Sequence, residues 1–134
     1  HSRKAHEIKA RARVATHFYW PELERQIKIA GVARPIEDQE SDLYFQSRPF
    51  ESKIGAWASP QSEVIPHRLY LEAEYEKYRK KYEDSDNIPR PAYWGGDAIK
   101  PDRIEFWQGG NHRLHDRIEY SRKDESWSRV RLAP

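Results

Sequence analysis

Val14-Ala15-Thr16-His17-Phe18-Tyr19-Trp20-Pro21-Glu22-Leu23-Glu24-Arg25-Gln26-Ile27-Lys28-Ile29-Ala30-Gly31-Val32 is the stretch on which the fold turns. Val14, Thr16, Phe18 and Trp20 alternate with Ala15, His17 and Tyr19, the period-two pattern of a strand whose side chains point to opposite faces. Pro21-Glu22 supplies a turn. Residues 24–32 then read as a second strand, with Ile27 and Ile29 on one face and Gln26 and Lys28 on the other. The spacing predicts an antiparallel hairpin, with Gly31 permitting a bulge near its end.

Outward from that hairpin the periodicity changes. Residues 2–12, rich in Lys, Arg and Ala, read as a short helix. On the other side, Pro35 suits the first turn of a helix whose N-terminal end carries Glu37, Asp38 and Glu40. Ile36, Leu43 and Tyr44 fall on one face of it, and Pro49 stops it. Residues 52–59 predict a second short helix. Pro66 opens a third that runs to Tyr82, with Leu71, Tyr75, Tyr78 and Tyr82 on one stripe and Glu72, Glu76, Lys80 and Lys81 solvated. Residues 84–91 read as a polar connector and Tyr93-Trp94-Gly95-Gly96 as a turn. Strands return at 104–107, 113–120 and 128–132, the last two joined at Lys123-Asp124-Glu125-Ser126. Strands, then helices, then strands imply an α+β fold of antiparallel strands with flanking helices. No glycine-rich phosphate loop follows a strand, which argues against a dinucleotide fold.

The bulk composition bounds the rest. At 134 residues the chain reads as a single domain, residues 1–134. It is lean in apolar residues: 37% hydrophobic against 34% charged, with a mean hydropathy of −1.09. The 13% aromatic share compensates, since Tyr and Trp bring both burial and a polar handle. A net charge of +2 is weak support for a nucleic-acid partner and fits an anionic small ligand as well. Absence of cysteine excludes disulfides, thiolate chemistry and Cys-based metal sites. With no apolar run of membrane-spanning length and no signal-peptide pattern, a cytoplasmic location with no membrane partner is expected.

Several polar groups stand out. In Trp107-Gln108-Gly109-Gly110-Asn111-His112-Arg113-Leu114-His115-Asp116-Arg117, positions 113, 115 and 117 alternate. If that segment is extended, Arg113, His115 and Arg117 share a face suited to an anion or heterocycle. Their bland reading is an exposed face paired with carboxylates, and that of Trp107 is a core aromatic. Arg3 and Lys4 place two cations at a helix start, either a phosphate site or a solvated basic terminus. Tyr44, Arg48 and Ser52 recur every four residues across Pro49, so they converge from a helix end and the next turn. A guanidinium with two hydroxyls suits a phosphate monoester. Gln26, and the pair Gln61-Ser62, read as ordinary polar strand and loop residues by themselves.

Taken together these motifs resemble the pyridoxine/pyridoxamine 5′-phosphate oxidase family. The resemblance runs in order from Ser2-Arg3-Lys4-Ala5 through Glu24-Arg25-Gln26, Ser47-Arg48-Pro49, Ile54-Gly55-Ala56-Trp57, Pro60-Gln61-Ser62, Tyr93-Trp94-Gly95-Gly96 and the Trp107–Arg117 run to Arg131-Leu132-Ala133-Pro134. It implies an FMN-binding split β-barrel, with the N-terminal barrel strands outside this sequence, which starts at His1 and contains no Met. It also implies FMN contacts from Arg3, Lys4, Gln26, Gln61, Ser62, Trp107 and Arg117, and a substrate phosphate held by Tyr44, Arg48 and Ser52. Arg113 and His115 would hold the pyridine ring against the flavin and are the implied catalytic pair; no metal is implied. The implied reaction takes pyridoxine or pyridoxamine 5′-phosphate to pyridoxal 5′-phosphate, with O2 reduced to H2O2. The implied assembly is a homodimer with the site at its interface. A binding module of the same fold that turns nothing over is the alternative, and a single-strand nucleic-acid binder is a more remote one. Asp97 and Ala98 after the Gly-Gly pair, Phe50 after Pro49, and Lys53 depart from the family pattern beside the site.

Overall fold

The computed structural model describes residues 2–134. The chain divides into two compact units, one of residues 1–7 and 35–97 and one of residues 8–34 and 98–134. Helix α1 (Arg3–Ala10) begins in the first and ends in the second, and Ser2 Oγ caps it by accepting the Ala5 N–H at 3.2 Å.

The second unit is a five-stranded antiparallel sheet in the order β1-β2-β3-β4-β5, made of β1 (Arg13–Trp20), β2 (Arg25–Pro35), β3 (Asp97–Gln108), β4 (Asp116–Lys123) and β5 (Ser126–Leu132). The hairpin expected at 14–32 forms, with Val14 opposite Gly31 and Trp20 opposite Arg25. A 3-10 turn at Pro21–Leu23 closes it, and Glu24 takes the left-handed φ of 47° that lets its N–H reach the Pro21 carbonyl at 3.0 Å. The last hairpin turns at Asp124, φ 56°, a residue type that tolerates this region. The register through Gly31 is unbroken, so the bulge expected there is absent. Gly31 instead serves a close backbone approach: a Cβ at this position would lie 2.2 Å from the Lys100 carbonyl oxygen and 2.8 Å from the Pro101 Cα on β3.

The first unit holds α2 (Asp38–Ser47), α3 (Phe50–Ala58), α4 (Arg68–Tyr82) and the connector that follows. Its core is Phe45, Ile54, Tyr82 and Ile88, flanked by Trp57, Tyr75, Tyr78 and Trp94. The aromatic stripe expected on α4 faces this core, and its charged side is exposed. His67, rather than Pro66, caps that helix, its Nδ1 accepting the Tyr70 N–H at 3.1 Å. Two expectations fail nearby. Pro35 ends β2 and does not open a helix, because the Ile36 N–H is bonded to the Gly96 carbonyl at 3.1 Å and the helix starts only at Asp38. Starting at Asp38, the helix turns Ser41 and Phe45 inward, so Leu43 and Tyr44 are more than half exposed. The connector is also less polar in its role than in its composition. Ile88 and Pro91 are buried, and the carbonyls of Ile88 and Pro89 accept from Gln46 Nε2 at 2.7 Å and Trp57 Nε1 at 2.8 Å.

Gly31→Ala should destabilise the protein by about 3 kcal/mol or more, because backbone atoms cannot yield as a flexible side chain does. Gly55→Ala, in α3 with open space at its Cβ, should stabilise it by about 0.5–1 kcal/mol. Urea denaturation of the two variants tests the contrast, and a Gly31→Ala protein of unchanged midpoint would refute the close-approach account.

Candidate functional site

In the helical unit, Tyr44, Arg48 and Ser52 fall at the joint between α2 and α3. Tyr44 is in the last turn of α2, Arg48 caps its end in an extended conformation, and Ser52 is in the first turn of α3 after the Pro49 cap. Trp94 organises two of the three. The Arg48 guanidinium lies 5.2 Å from the Trp94 ring centroid and 5.9 Å from that of Phe45, and the Tyr44 ring is 5.8 Å from Trp94. A cation over aromatic faces gains from their quadrupoles. One nitrogen of that guanidinium, Nη1, is buried with no hydrogen-bond partner among the described residues. A buried, charged donor left unpaired is costly, so this one is poised for an anionic acceptor. Sequence reasoning treated Trp94 only as part of a turn and missed it as the platform under Arg48.

Gln61 and Ser62 are exposed at the two central positions of a turn closed by the Glu63 N–H and the Pro60 carbonyl at 3.0 Å, with Ser62 at φ 66°. Arg3 and Lys4 are exposed in the first turn of α1. The Arg3 Nε donates to Glu7 Oε1 at 2.7 Å, one turn on.

The sheet unit carries the remaining positions. Trp107 on β3 and Arg117 on β4 are register partners, so their side chains share a face. Arg117 is held in place: its Nε donates to Glu105 Oε1 at 3.0 Å and its Nη1 to the Ala133 carbonyl at 2.9 Å. Lys28 Nζ lies 3.9 Å from the same Glu105 oxygen. Gln26, two residues along β2, is on that face as well, its Oε1 3.0 Å from His17 Nε2. A cleft of about 510 Å³ on this face is lined by His17, Lys28, Glu105, Arg117 and Glu119 among others. Glu105 was missed from sequence, although it stands two residues before Trp107 on the same strand face.

The alternation of 113, 115 and 117 does not exist as a strand face. Strand β4 starts only at Asp116, and Arg113 sits in a 3-10 turn (Asn111–Arg113) where His112 and Arg113 take left-handed φ values of 55° and 64°. Gly110 imposes this course, since its Cα packs so closely on the Leu114 carbonyl that a Cβ would lie 2.3 Å from that oxygen. The period-two pattern in the sequence spans a loop whose residues are not extended. His115 still reaches the sheet: its ring packs against Trp107, tilted by 41° with centroids 4.8 Å apart, and its Nδ1 accepts the Gly110 N–H at 3.2 Å. Arg113 is exposed, with no ion pair among the described residues. No cluster of three or more His, Asp or Glu suited to a metal occurs among the described residues.

The Arg117 hydrogen bond, aided by the Lys28 charge, holds the Glu105 carboxyl below its ordinary value, against the opposing effect of burial. Its ionised form therefore contributes stability that is present above the unfolded-state value, about 4.3, and lost as pH falls through the lower folded value. Glu105→Gln should thus cost stability at pH 7, and the deficit relative to the unmodified protein should shrink once pH drops below about 4. Thermal melts from pH 7 to acid check this; a constant deficit across the range would contradict the assignment.

Comparison with known proteins bears on these positions. A family model described as pyridoxamine 5′-phosphate oxidase matches residues 1–82, and one described as the pyridoxine 5′-phosphate oxidase C-terminal dimerisation region matches residues 94–134. A protein of Hydrogenovibrio crunogenus named pyridoxine/pyridoxamine 5′-phosphate oxidase 2 is 52% identical over 99% of this chain and 62% of its own length. A pyridoxine/pyridoxamine 5′-phosphate oxidase of Coxiella burnetii is 46% identical over 100% of this chain and 67% of its own. The chain thus spans roughly three fifths to two thirds of these relatives. Among solved structures, PhzG from Burkholderia lata 383, in complex with tetrahydrophenazine-1-carboxylic acid, superposes with a TM-score of 0.90 at 31% identity, covering 99% of this chain and 64% of that one. A pyridoxamine 5′-phosphate oxidase-related, FMN-binding protein of Nostoc punctiforme matches in fold, with a TM-score of 0.68 at 16% identity over 99% of this chain and 69% of that one. The expected split-barrel fold is therefore the observed one, and the chain belongs to the pyridoxine/pyridoxamine 5′-phosphate oxidase family.

Proposed function

We propose that this chain is part of a flavin-dependent oxidase that converts pyridoxine 5′-phosphate and pyridoxamine 5′-phosphate to pyridoxal 5′-phosphate. The observation that carries the reading is the buried, unpaired Arg48 nitrogen at the α2–α3 joint, a donor that a substrate phosphate oxygen would satisfy. Tyr44 and Ser52 add hydroxyls on either side of it in sequence. FMN, when bound, supplies the acceptor for the hydride leaving the substrate's exocyclic carbon and the route for both electrons to O2, giving H2O2. What the chain's own residues do is bind and orient. Arg113 and His115 are assigned to the pyridine ring. His115 has its Nδ1 committed to the Gly110 N–H, which leaves Nε2 to face a substrate oxygen or nitrogen.

The donor set fits FMN. Gln26 keeps its amide N–H donors while its oxygen meets His17, Trp107 offers an aromatic edge, and Arg117 is a fixed cation on the same sheet face. Arg3 and Lys4 at a capped helix start, with Gln61 and Ser62, suit a phosphate and its neighbouring oxygens. A homodimer accompanies this reading, supported by the matched dimerisation region over residues 94–134. Sedimentation monitored at flavin wavelengths tests both points. FMN should travel with a dimer, and Arg3→Ala with Lys4→Ala should lose FMN far more than riboflavin, which has no phosphate. Equal loss of both, or flavin riding on a monomer, would count against the assignment.

A second reading, an oxidase of an unphosphorylated aromatic carboxylic acid, draws on the PhzG likeness. The higher identity to the named 5′-phosphate oxidases favours the first. Steady-state kinetics of the flavin-loaded enzyme, followed by peroxide release, separate them and also test the non-catalytic alternative. Arg48→Ala should raise KM for pyridoxine 5′-phosphate roughly 10–100-fold with kcat little changed, the signature of lost uniform binding by a charged hydrogen bond. Arg113→Ala should depress kcat as well. An unchanged KM in Arg48→Ala would remove the phosphate anchor, and absence of any turnover would favour a binding module.

A further inference from the structure

Arg90 belongs to no motif and lies in the connector after α4, yet it is among the most engaged side chains of the helical unit. Its side chain is only 11% exposed. Nε donates to Asp42 Oδ1 at 2.5 Å, Nη2 donates to Asp38 Oδ1 at 2.7 Å, and Nη1 donates to the Trp94 carbonyl. Asp38 and Asp42 are one turn apart on α2, so a single planar fork ties the first half of that helix to the backbone of Trp94.

Trp94 is the residue on which the anchor depends. Its N–H is bonded to the Pro91 carbonyl at 2.9 Å, and its indole sits edge-on to the buried Phe45 with centroids 5.1 Å apart. The same indole also carries the Arg48 guanidinium and the Tyr44 ring. A cationic group with a buried, unpaired donor has few contacts of its own to fix its direction, so the aromatic platform sets it. The backbone position of that platform is in turn set by Arg90.

We infer that Arg90 is a positioning residue for the phosphate anchor: by clamping the Trp94 carbonyl to Asp38 and Asp42, it fixes the indole platform that aims Arg48. This rests on the proposed role of Arg48 in holding the substrate phosphate. Lysine keeps the charge but is a point donor on a flexible stem and cannot span the three acceptors with fixed geometry.

The test is a double-mutant cycle on the flavin-loaded enzyme with Arg90→Lys, Arg48→Ala and the two combined. The readouts are KM and kcat for pyridoxine 5′-phosphate and the equilibrium affinities for pyridoxal 5′-phosphate and for pyridoxal, which has no phosphate. Arg90→Lys should weaken pyridoxal 5′-phosphate roughly 5–10-fold, raise KM to match, and leave kcat and the pyridoxal affinity within about twofold. In the Arg48→Ala background it should have no further effect on either ligand. A stapling role without connection to Arg48 would give the same loss in both backgrounds, or would weaken both ligands alike, and either result overturns the inference. If Arg90→Lys does not fold, Asp42→Asn takes its place. It should weaken pyridoxal 5′-phosphate about 2–3-fold, again only while Arg48 is present, and an unchanged affinity would overturn the inference. If Arg48→Ala alone leaves pyridoxal 5′-phosphate binding intact, the proposed function falls, and this inference with it. If Arg48→Ala weakens that ligand but Arg90→Lys does not, only the inference falls.

Discussion

The sheet exists because two distant pieces of chain meet with almost no space between their backbones. Strands β1 and β2 come from residues 13–35 and β3 to β5 from residues 97–132, with all of α2 to α4 in between. Where β2 meets β3, Gly31 presses on the Lys100 carbonyl so closely that no side chain would fit. Closing so long an excursion costs chain entropy, which must be offset by the ladder and by the side chains it brings together. The groups that depend on this junction include the Lys28–Glu105 contact and the shared face of Gln26, Glu105, Trp107 and Arg117.

Charge on that face is arranged as a fixed relay. Glu105 is mostly buried and stays ionised because Arg117 donates to it, and Arg117 is also tethered to the Ala133 carbonyl near the chain end. An arginine fixed at two nitrogens presents the remainder of its fork in a defined direction, which lowers the ordering cost when a ligand binds. The opposite face is apolar, with Phe18, Trp20 and Phe106 each 40–46% exposed. The helical unit uses a different device. There the cation Arg48 rests on aromatic rings, with one donor left unpaired. One arginine is paired at two of its nitrogens, and the other is held by aromatic rings instead.

Much of this was legible in the amino-acid order. The alternation of 14–20 and 25–29 gave the hairpin, Pro49 separated α2 from α3, and the Tyr75/Tyr78/Tyr82 stripe marked the inward side of α4. Each depends on a local rule of period or backbone restriction that neighbouring residues alone impose. Order of motifs along the chain was sufficient for the family. Strict alternation misled at 113–117, where Gly109-Gly110 sets the backbone on a turning course that overrides the pattern.

What only the tertiary structure decided are the partners. Nothing in the sequence couples Arg90 to Asp38 and Asp42, or Arg117 to Glu105, because each pairing joins residues brought close by packing and not by spacing along the chain. The same holds for the helical phase of α2, which Phe45 fixes by burying itself against Ile54, and for Ile88 and Pro91, buried within a connector of polar composition. A sequence specifies local conformation through each residue's own steric limits. Which charge meets which, and which donor is left without a partner, follows from the packing within each unit, a property of the folded chain.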